Sequence, residues 1–312
     1  MHWMRSLGTA RRVVALDIGS HSVKLVALRH PASGPRLDAV AQDALPPDVM
    51  HGHAVRHPET VGAVIRTLLR RAGGRGTVRT AIPGPAVMMR RLTVRGATRA
   101  ELDAAVVREV GAHVPAPLEQ TVLDYHLLGP PAPDGAVAVL AVAARRDLVQ
   151  SYTAAIRAAG VEPAAVDVDV FALDRLLREF HRDDGEVVLV HAGARYAGIS
   201  RLRSDGPLWV ADVPTGADVE PDALARAVDR SLDLFSPEAP APPVGVLLSG
   251  GVASAPGLAP AFAARFACPV EVIDPLARIA ARRRVDRGPE GSCGPAFAVA
   301  VGLALRPPED SA

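Results

Sequence analysis

Two stretches of the chain share one pattern: an apolar run, a short turn that contains glycine, and a second apolar run. The first stretch, Val13–Arg29, reads VVALDIGSHSVKLVALR, and the second, Glu186–Arg203, reads EVVLVHAGARYAGISRLR. Runs that are this short and this rich in β-branched residues favour buried strands over helices. Because the two stretches match at a constant offset of 174 residues, the sequence predicts two similar halves that face each other.

A third stretch, Val244–Leu258, reads VGVLLSGGVASAPGL and predicts a buried strand, a Ser-Gly-Gly turn and the start of a helix. In the actin-like fold, two glycine hairpins grip the phosphates of a nucleotide across a cleft, and a loop of this third kind lies against the adenosine. The three stretches together therefore predict an α/β protein with an actin-like (ribonuclease H-like) two-domain fold.

Apolar residues at helical spacing predict helices in both halves, and the elements between residues 86 and 160 read β-α-β-β-α. This unit predicts a subdomain inserted into the first half. The predicted helices are Thr60–Ala72, Thr98–Val114, Arg145–Ala159, Phe171–Phe180, Ala223–Phe235 and Gly294–Arg306. The expected division is a flexible tail at 1–11, a first half at 12–85 and 161–182, the inserted subdomain at 86–160, a second half at 183–307 and a tail at 308–312.

The first glycine turn carries groups that suit a phosphate ligand. Gly19 lets the backbone approach an anion, and Ser20 and Ser22 can donate hydrogen bonds to phosphate oxygens. Asp17, at the end of the strand, could hold a magnesium ion through water. The alternative is that Asp17 bonds the backbone N–H groups of its own turn and that the Ser-Gly-Gly turn is a structural corner. Three further histidines, at 51, 53 and 57, have no acidic or thiol partner nearby in sequence, so a metal site is not expected there.

Composition narrows the class of protein. The 312 residues carry a formal net charge of +1, so no overall field recruits nucleic acid. The only lysine is Lys24. Cys268 and Cys293 are the only cysteines, and so few cysteines are typical of a reduced cytosolic protein. The apolar runs are too short to span a bilayer and have the length of core elements. The N-terminus lacks the long apolar segment of a signal peptide. We expect a cytoplasmic protein.

The order of motifs resembles the PilM family of type IV pilus assembly proteins, which are relatives of the division protein FtsA. The resemblance extends from about Arg12 to Pro307 and is carried by these segments: LDIGSHSVKLVAL, EVGAHVPAPLEQTVLDYHLL, AAGVEPAAVDVDVFAL, LLSGGVASAPGL and AFAVAVGLALRP. Sugar kinases and heat-shock chaperones share the phosphate loops but not the VPAPLEQTVLDY segment. The inserted unit is similar to the subdomain that PilM and FtsA carry in place of actin's own insert.

The resemblance implies a scaffold that binds ATP and holds the cytoplasmic N-terminal peptide of a bitopic membrane protein, PilN, between the inserted subdomain and the main body. It implies recruitment to the inner face of the cell membrane and contact with other pilus platform or motor proteins. The implied nucleotide-site residues, with Asp17 as the magnesium residue if nucleotide binds, are Asp17, Gly19, Ser20, His21, Ser22, Lys24, His191, Gly193, Gly216, Ser249, Gly250 and Gly251. The expected peptide-groove residues are Val87, Met89, Arg91, Leu92, Val94, Val106, Glu109 and Val110.

Two departures from the family pattern affect the nucleotide. The repeat places His191 opposite Asp17, where the family has a second aspartate, and a histidine cannot supply negative charge to magnesium and its waters. Residues 217–243 replace a larger helical subdomain and contain no lysine, so one wall of the adenosine pocket is expected to be missing.

Three hypotheses remain open. The first is a PilM-type scaffold in which ATP binding is weak or lost, so that the protein is a pseudo-ATPase. The second is the same scaffold with ATP and magnesium as a structural cofactor. The third is an active actin-like ATPase or small-molecule kinase. The lost carboxylate favours the first, because removing one such group typically costs about 10²–10⁴ in rate.

Overall fold

The computed structural model describes residues 11–74, 76–96, 98–114, 117–180, 185–216, 218–235, 243–279 and 294–306. The predicted tails at 1–11 and 308–312 lie outside these residues, apart from Arg11. The strands are β1 Arg11–Ile18, β2 Ser22–His30, β3 Arg36–Ala44, β4 Met50–His51, β5 Ala54–Val55, β6 Thr77–Ile82, β7 Val87–Arg95, β8 Thr121–Leu127, β9 Ala136–Arg145, β10 Pro163–Val168, β11 Val187–Ala192, β12 Tyr196–Arg203, β13 Gly206–Pro214, β14 Gly245–Ser249 and β15 Val270–Val272. The helices are α1 Pro58–Arg71, α2 Arg99–Gly111, α3 Arg146–Ala158, α4 Asp169–Phe180, α5 Pro221–Phe235, α6 Leu258–Phe266, α7 Pro275–Arg278 and α8 Ala298–Leu305.

Two five-stranded sheets have the same topology. The first has the order β3-β2-β1-β6-β10 and the second has the order β13-β12-β11-β14-β15. In each sheet an antiparallel three-stranded meander is followed by two parallel strands. The register repeats as well, since Val13 pairs with Leu28 and, 174 residues later, Val187 pairs with Leu202. The predicted duplication of the two halves is confirmed.

The helices α4 and α8 lie between the two sheets and contact each other closely. Helix α8 also packs on β1, β2 and β6, and α4 contacts β6, β10 and β13. The close approach depends on Gly302, because a Cβ atom there would lie only 1.9 Å from the carbonyl oxygen of Ala172 in α4. Helix α8 falls within the range 183–307 assigned to the second half, yet its packing places it with the first half. Helix α8 is apolar on every side, so its position in the sequence does not reveal which half it packs against.

The inserted unit is a three-stranded sheet, β7-β9-β8, covered by α2. Helix α2 begins with the predicted capping box, in which Thr98 and Glu101 exchange side-chain and backbone hydrogen bonds. The unit has its own small core, which contains Val94, Val106 and Val110. Helix α3 lies within the range 86–160 assigned to the insert, but its apolar face joins the core of the first half and contacts α1. The β-α-β-β-α order is therefore as predicted, whereas the packing of the last helix is not.

The second half has one helix, α5, between residues 218 and 235, where the sequence predicts a reduced subdomain. Helices α5 and α6 contact each other and share the core of this half with its sheet. None of the helices in the described part of the chain has the length and apolar character that crossing a bilayer requires.

Candidate functional site

A cavity of about 520 Å³ lies between the two glycine hairpins, and Gly19 and Gly193 both line it. The two turns have matching hydrogen bonds. The N–H of Gly19 donates to the carbonyl of Ser22 over 3.1 Å, and the N–H of Gly193 donates to the carbonyl of Tyr196 over 3.0 Å. The duplicated pattern in the sequence thus produces two facing turns of the same geometry. We call the cavity the central cleft.

The first hairpin brings Asp17 and Lys24 together, because they are cross-strand partners in the β1–β2 register. Lys24 Nζ donates to Asp17 Oδ2 over 3.3 Å, and each side chain is only 14% exposed. Ser22 accepts a hydrogen bond of 3.1 Å from the side-chain amide of Gln42. The acidic and basic groups expected to meet a magnesium–nucleotide complex are therefore paired with each other.

The second hairpin places His191 at the position that matches Asp17, and Gly198 at the position that matches Lys24. His191 Nδ1 lies 2.9 Å from the hydroxyl oxygen of Ser249. The pKa of His191 is lowered to about 4, chiefly by burial; the charge of Asp17 acts in the opposite direction and that of Lys24 in the same direction as burial. The ring is neutral at neutral pH, so His191 provides no charge for a metal ion.

The Ser-Gly-Gly turn packs against the last residue of β11, in the second hairpin. Gly250 has φ +95°, and a Cβ atom there would lie 2.3 Å from the carbonyl oxygen of Ala192. Its N–H donates to the carbonyl of Pro295 over 2.8 Å. Gly251 lines the cleft, whereas Ser249, Gly250 and Gly216 do not. The turn is a close-packed corner, which agrees with the structural alternative stated for it.

A second set of polar residues also lines the cleft, and three of its four members come from segments outside the sequence motifs. His53, in the turn between β4 and β5, donates from Nε2 to Asp212 Oδ2 of β13 over 3.0 Å. The hydroxyl of Tyr152 donates to the carbonyl of His53 over 2.9 Å, and the ring centroid of Tyr196 lies 5.0 Å from that of His53. We call these four residues the His53 clasp, because it joins the first half to the second. Among the described residues no cluster of His, Cys, Asp and Glu could hold a metal ion.

Asp169, the first residue of α4, also lines the cleft. Its Oδ1 accepts a hydrogen bond of 2.7 Å from the N–H of Gly84. Burial raises the pKa of Asp169 to about 7, against the lowering effect of its backbone hydrogen bonds. No sequence pattern points to this residue, because VDVDVFAL predicts only a strand followed by a helix.

A second cavity, of about 900 Å³, lies between the inserted unit and the main body. We call it the partner groove. Strands β8 and β9 form one wall, and β10, α3 and α4 form the other. The lining combines apolar side chains, such as Val122, Leu140 and Phe171, with charged ones, such as Asp174 and Arg178. The turn between β12 and β13 closes one end with Asp205, Gly206 and Pro207.

The eight residues expected to form a peptide groove lie elsewhere. None of them lines this cavity. Val94, Val106 and Val110 are buried in the insert's own core, and Leu92 packs against it. Val87 and Met89 belong to the core of the first half, Glu109 is exposed on α2, and Arg91 binds Asp205 through Nη1 over 2.8 Å. None of the eight therefore forms the wall of this cavity, and their contact with a peptide stays a prediction.

The sequence and the fold were compared with known protein families and solved structures. The family model described as type IV pilus assembly protein PilM matches residues 15–208 and 220–307. The chain belongs to the PilM family. A solved structure described as the PilM–PilN type IV pilus biogenesis complex has a TM-score of 0.82 and 28% sequence identity, and covers 96% of this chain and 99% of that chain.

Two more distant structures share the fold alone. The ethanolamine utilization protein EutJ from Carboxydothermus hydrogenoformans has a TM-score of 0.55 at 15% identity, over 94% of this chain and 89% of that one. The cytoplasmic domain of EpsL, an inner-membrane component of the type II secretion system of Vibrio cholerae, has a TM-score of 0.51 at 11% identity, over 94% of both chains. The predicted actin-like fold is confirmed for this PilM-family protein.

Proposed function

We propose that this PilM-family protein is a scaffold of a type IV pilus assembly platform that holds the N-terminal cytoplasmic peptide of a PilN-like membrane protein. The partner groove carries the proposal, because a cavity of about 900 Å³ separates the inserted unit from the main body. The similar PilM–PilN complex supports the identity of the partner. Binding to a bitopic protein would recruit the scaffold to the cytoplasmic face of the inner membrane.

The groove has the chemistry that an extended peptide needs. Strand β8 is the last strand of the insert's sheet and β10 is the last strand of the first sheet, so each presents one edge without a further strand among the described residues. Both strands line the groove. Backbone groups on such an edge can pair with an added strand, and the apolar part of the lining provides pockets for alternate side chains. A short extended segment with alternating apolar residues fits this surface best.

A labelled peptide from the N-terminus of the PilN-like protein tests the proposal by fluorescence anisotropy. Leu127→Asp places a charge in the groove at a side chain that is 41% exposed, so the fold is retained while the peptide loses an apolar contact. We expect the affinity to fall about tenfold, or roughly 1.4 kcal/mol.

The matched control is Val107→Asp, which changes an equally exposed aliphatic residue (42%) on α2, outside the groove. Its affinity should equal that of the wild type. Absence of peptide binding up to millimolar concentration, or equal losses in the two variants, would rule out this groove as the binding site.

We also propose that ATP binding is weak or lost. The carboxylates of the cleft already have partners inside the protein. Asp17 pairs with Lys24, and Asp212 accepts a hydrogen bond from His53. Asp169 accepts one from the N–H of Gly84. A magnesium–nucleotide complex would have to separate the Asp17–Lys24 pair and would meet a neutral His191. These residues fit ATP with magnesium poorly, so a protein that is stable without nucleotide is the simpler interpretation.

Calorimetry with ATP and magnesium tests this second part, with His191→Asp as the comparison because it restores the carboxylate at the position that matches Asp17. We expect no micromolar binding for the wild type and tighter binding for the variant. Micromolar affinity in the wild type would instead favour ATP as a structural cofactor of the scaffold.

One observation favours turnover as a second candidate function. Asp169 lines the cleft with a pKa raised to about 7, which suits a group that accepts a proton at neutral pH. A steady-state phosphate-release assay separates the candidates. Magnesium-dependent release that disappears in both Asp17→Ala and Asp169→Asn would establish an ATPase, whereas the pseudo-ATPase proposal expects no release above background.

A further inference from the structure

Strand β13 has its two ends in different sites. Gly206 and Pro207 at its start line the partner groove, and Asp212 near its end lines the central cleft. Between them, Val210 packs against Gly84, where a Cβ atom would lie 3.5 Å from Val210 Cγ1 and 3.0 Å from Asp169 Oδ1. The strand therefore contacts the first half between its two ends as well.

The groove end of β13 is fixed by two arginines. Arg91 of the insert donates to both carboxylate oxygens of Asp205, over 2.8 and 3.2 Å, and Arg203 donates to the same oxygens over 2.9 and 3.2 Å. Hydrogen bonds from Arg203 and then Arg91 keep the pKa of Asp205 below its ordinary value. This cluster ties the insert to the turn that closes the groove.

The cleft end of β13 is fixed by the His53 clasp. Asp212 accepts from His53, whose ring lies beside Tyr196 and whose carbonyl accepts from Tyr152. Through His53, the clasp attaches the first half to the end of β13 that is farthest from the groove. Loss of the His53–Asp212 hydrogen bond removes the polar contact at this end, so β13 can shift relative to the first half, while Val210 still packs against Gly84 and Arg91 still binds Asp205.

We propose that His53 and Asp212 are positioning residues of the partner groove, which act through β13 on the wall formed by Asp205, Gly206 and Pro207. The inference rests on the proposed function, since it concerns the affinity of the same peptide. It assigns a role to His53, the one histidine of the three near residue 53 that enters the cleft. By linkage, any ligand that displaces His53 from Asp212 changes the affinity of the peptide, and the peptide changes the affinity of that ligand equally.

The test measures peptide affinity in the full chain with His53→Ala, Asp212→Ala and the double variant. Each single variant should weaken binding about threefold or more, and the double variant should weaken it no further, since both remove one interaction. His53→Gln, whose amide can still donate to Asp212, should bind as the wild type does. His51→Ala, an exposed histidine of the same hairpin outside the cleft, is the control.

Hydrogen exchange provides a readout that needs no peptide. In His53→Ala, exchange should rise at residues 206–208 and 89–92, next to the groove, while the midpoint of global unfolding shows that the variant is folded. If either the affinity or the exchange stays at the wild-type level, the inference is overturned. If the wild type binds no peptide, the proposed function fails, and the exchange result alone decides whether the clasp positions the groove wall.

Discussion

Two partly buried side chains of the central cleft, His191 and Asp169, have their pKa values shifted in opposite directions by the same cause. Burial favours the uncharged form, which lowers the pKa of His191 to about 4 and raises that of Asp169 to about 7. Between pH 4 and about 6.5, the unfolded state binds more protons at His191, so this residue makes stability rise with pH. At Asp169 the folded state binds more protons between about pH 4 and 7, so this residue makes stability fall as pH rises.

We therefore predict that the two residues oppose each other in the pH dependence of unfolding. The free energy of unfolding of the wild type relative to Asp169→Asn should fall as pH rises from about 4 to 7, by at most about 1.4 kcal/mol per pH unit. Relative to His191→Gln it should rise between about pH 4 and 6.5. Urea unfolding of the three proteins across this range measures both differences. Parallel curves for all three would show that neither shift exists.

At the scale of elements, the inserted unit depends on the cap of its single helix. Helix α2 buries only a small face, and its first turn is closed by the reciprocal bonds of Thr98 and Glu101. The side chain of Thr98 accepts from the N–H of Glu101 over 3.3 Å, and Glu101 accepts from the N–H of Thr98 over 3.1 Å. A helix with little buried surface relies more on its cap than a central helix does.

Thr98→Ala should therefore destabilise the insert by about 1 kcal/mol. Hydrogen exchange in α2 and β7 should rise, whereas exchange in β1 and β11 should not. The control is Thr153→Ala in α3, where the hydroxyl only bonds a carbonyl of its own helix, that of Gln150. Equal effects of the two substitutions, or a rise that spreads to both large sheets, would mean that the cap has no special role in the insert.

The elements also show how far the sequence alone could lead. The hairpin repeat, the capping box and the order of the insert were predictable, because each is a local pattern of apolar positions, glycines and caps. The packing of α3 and α8 on the first half was not, because the apolar face of α3 and the wholly apolar surface of α8 do not specify which neighbour they cover. His53, Asp169 and Asp212 were not identified as cleft residues for a different reason. Each reaches the cleft through tertiary contacts between segments that are far apart in the chain.

At the scale of the whole molecule, the layer formed by α4 and α8 joins the two halves. Asp169 at the start of α4 lines the cleft, and Phe171, Asp174, Arg175 and Arg178 of the same helix line the groove. The distance between the two helices is set by Gly302, which lies against the backbone of Ala172. The spacing of this layer therefore affects both sites.

Gly302→Ala should destabilise the protein by about 1–3 kcal/mol, although alanine is the better helix former by about 1 kcal/mol, because the added methyl forces α4 and α8 apart. The comparison is Gly111→Ala in α2, where the new Cβ would meet only the flexible end of Leu118, at 3.3 Å. Denaturant midpoints of both variants measure the difference. A Gly302→Ala protein as stable as the wild type would mean that the layer is not tightly packed.

Helix α8 also has a consequence for how the protein matures during synthesis. Strands β1, β2 and β6 are made first, but the helix that covers one face of them is encoded much later in the chain, at residues 298–305. While the chain is still emerging from the ribosome, that face of the nascent sheet stays uncovered, even after its five strands have left the tunnel. A chain that stops short of α8 would therefore expose an apolar sheet face and tend to aggregate, and the first half is complete only once α8 has been made and has packed.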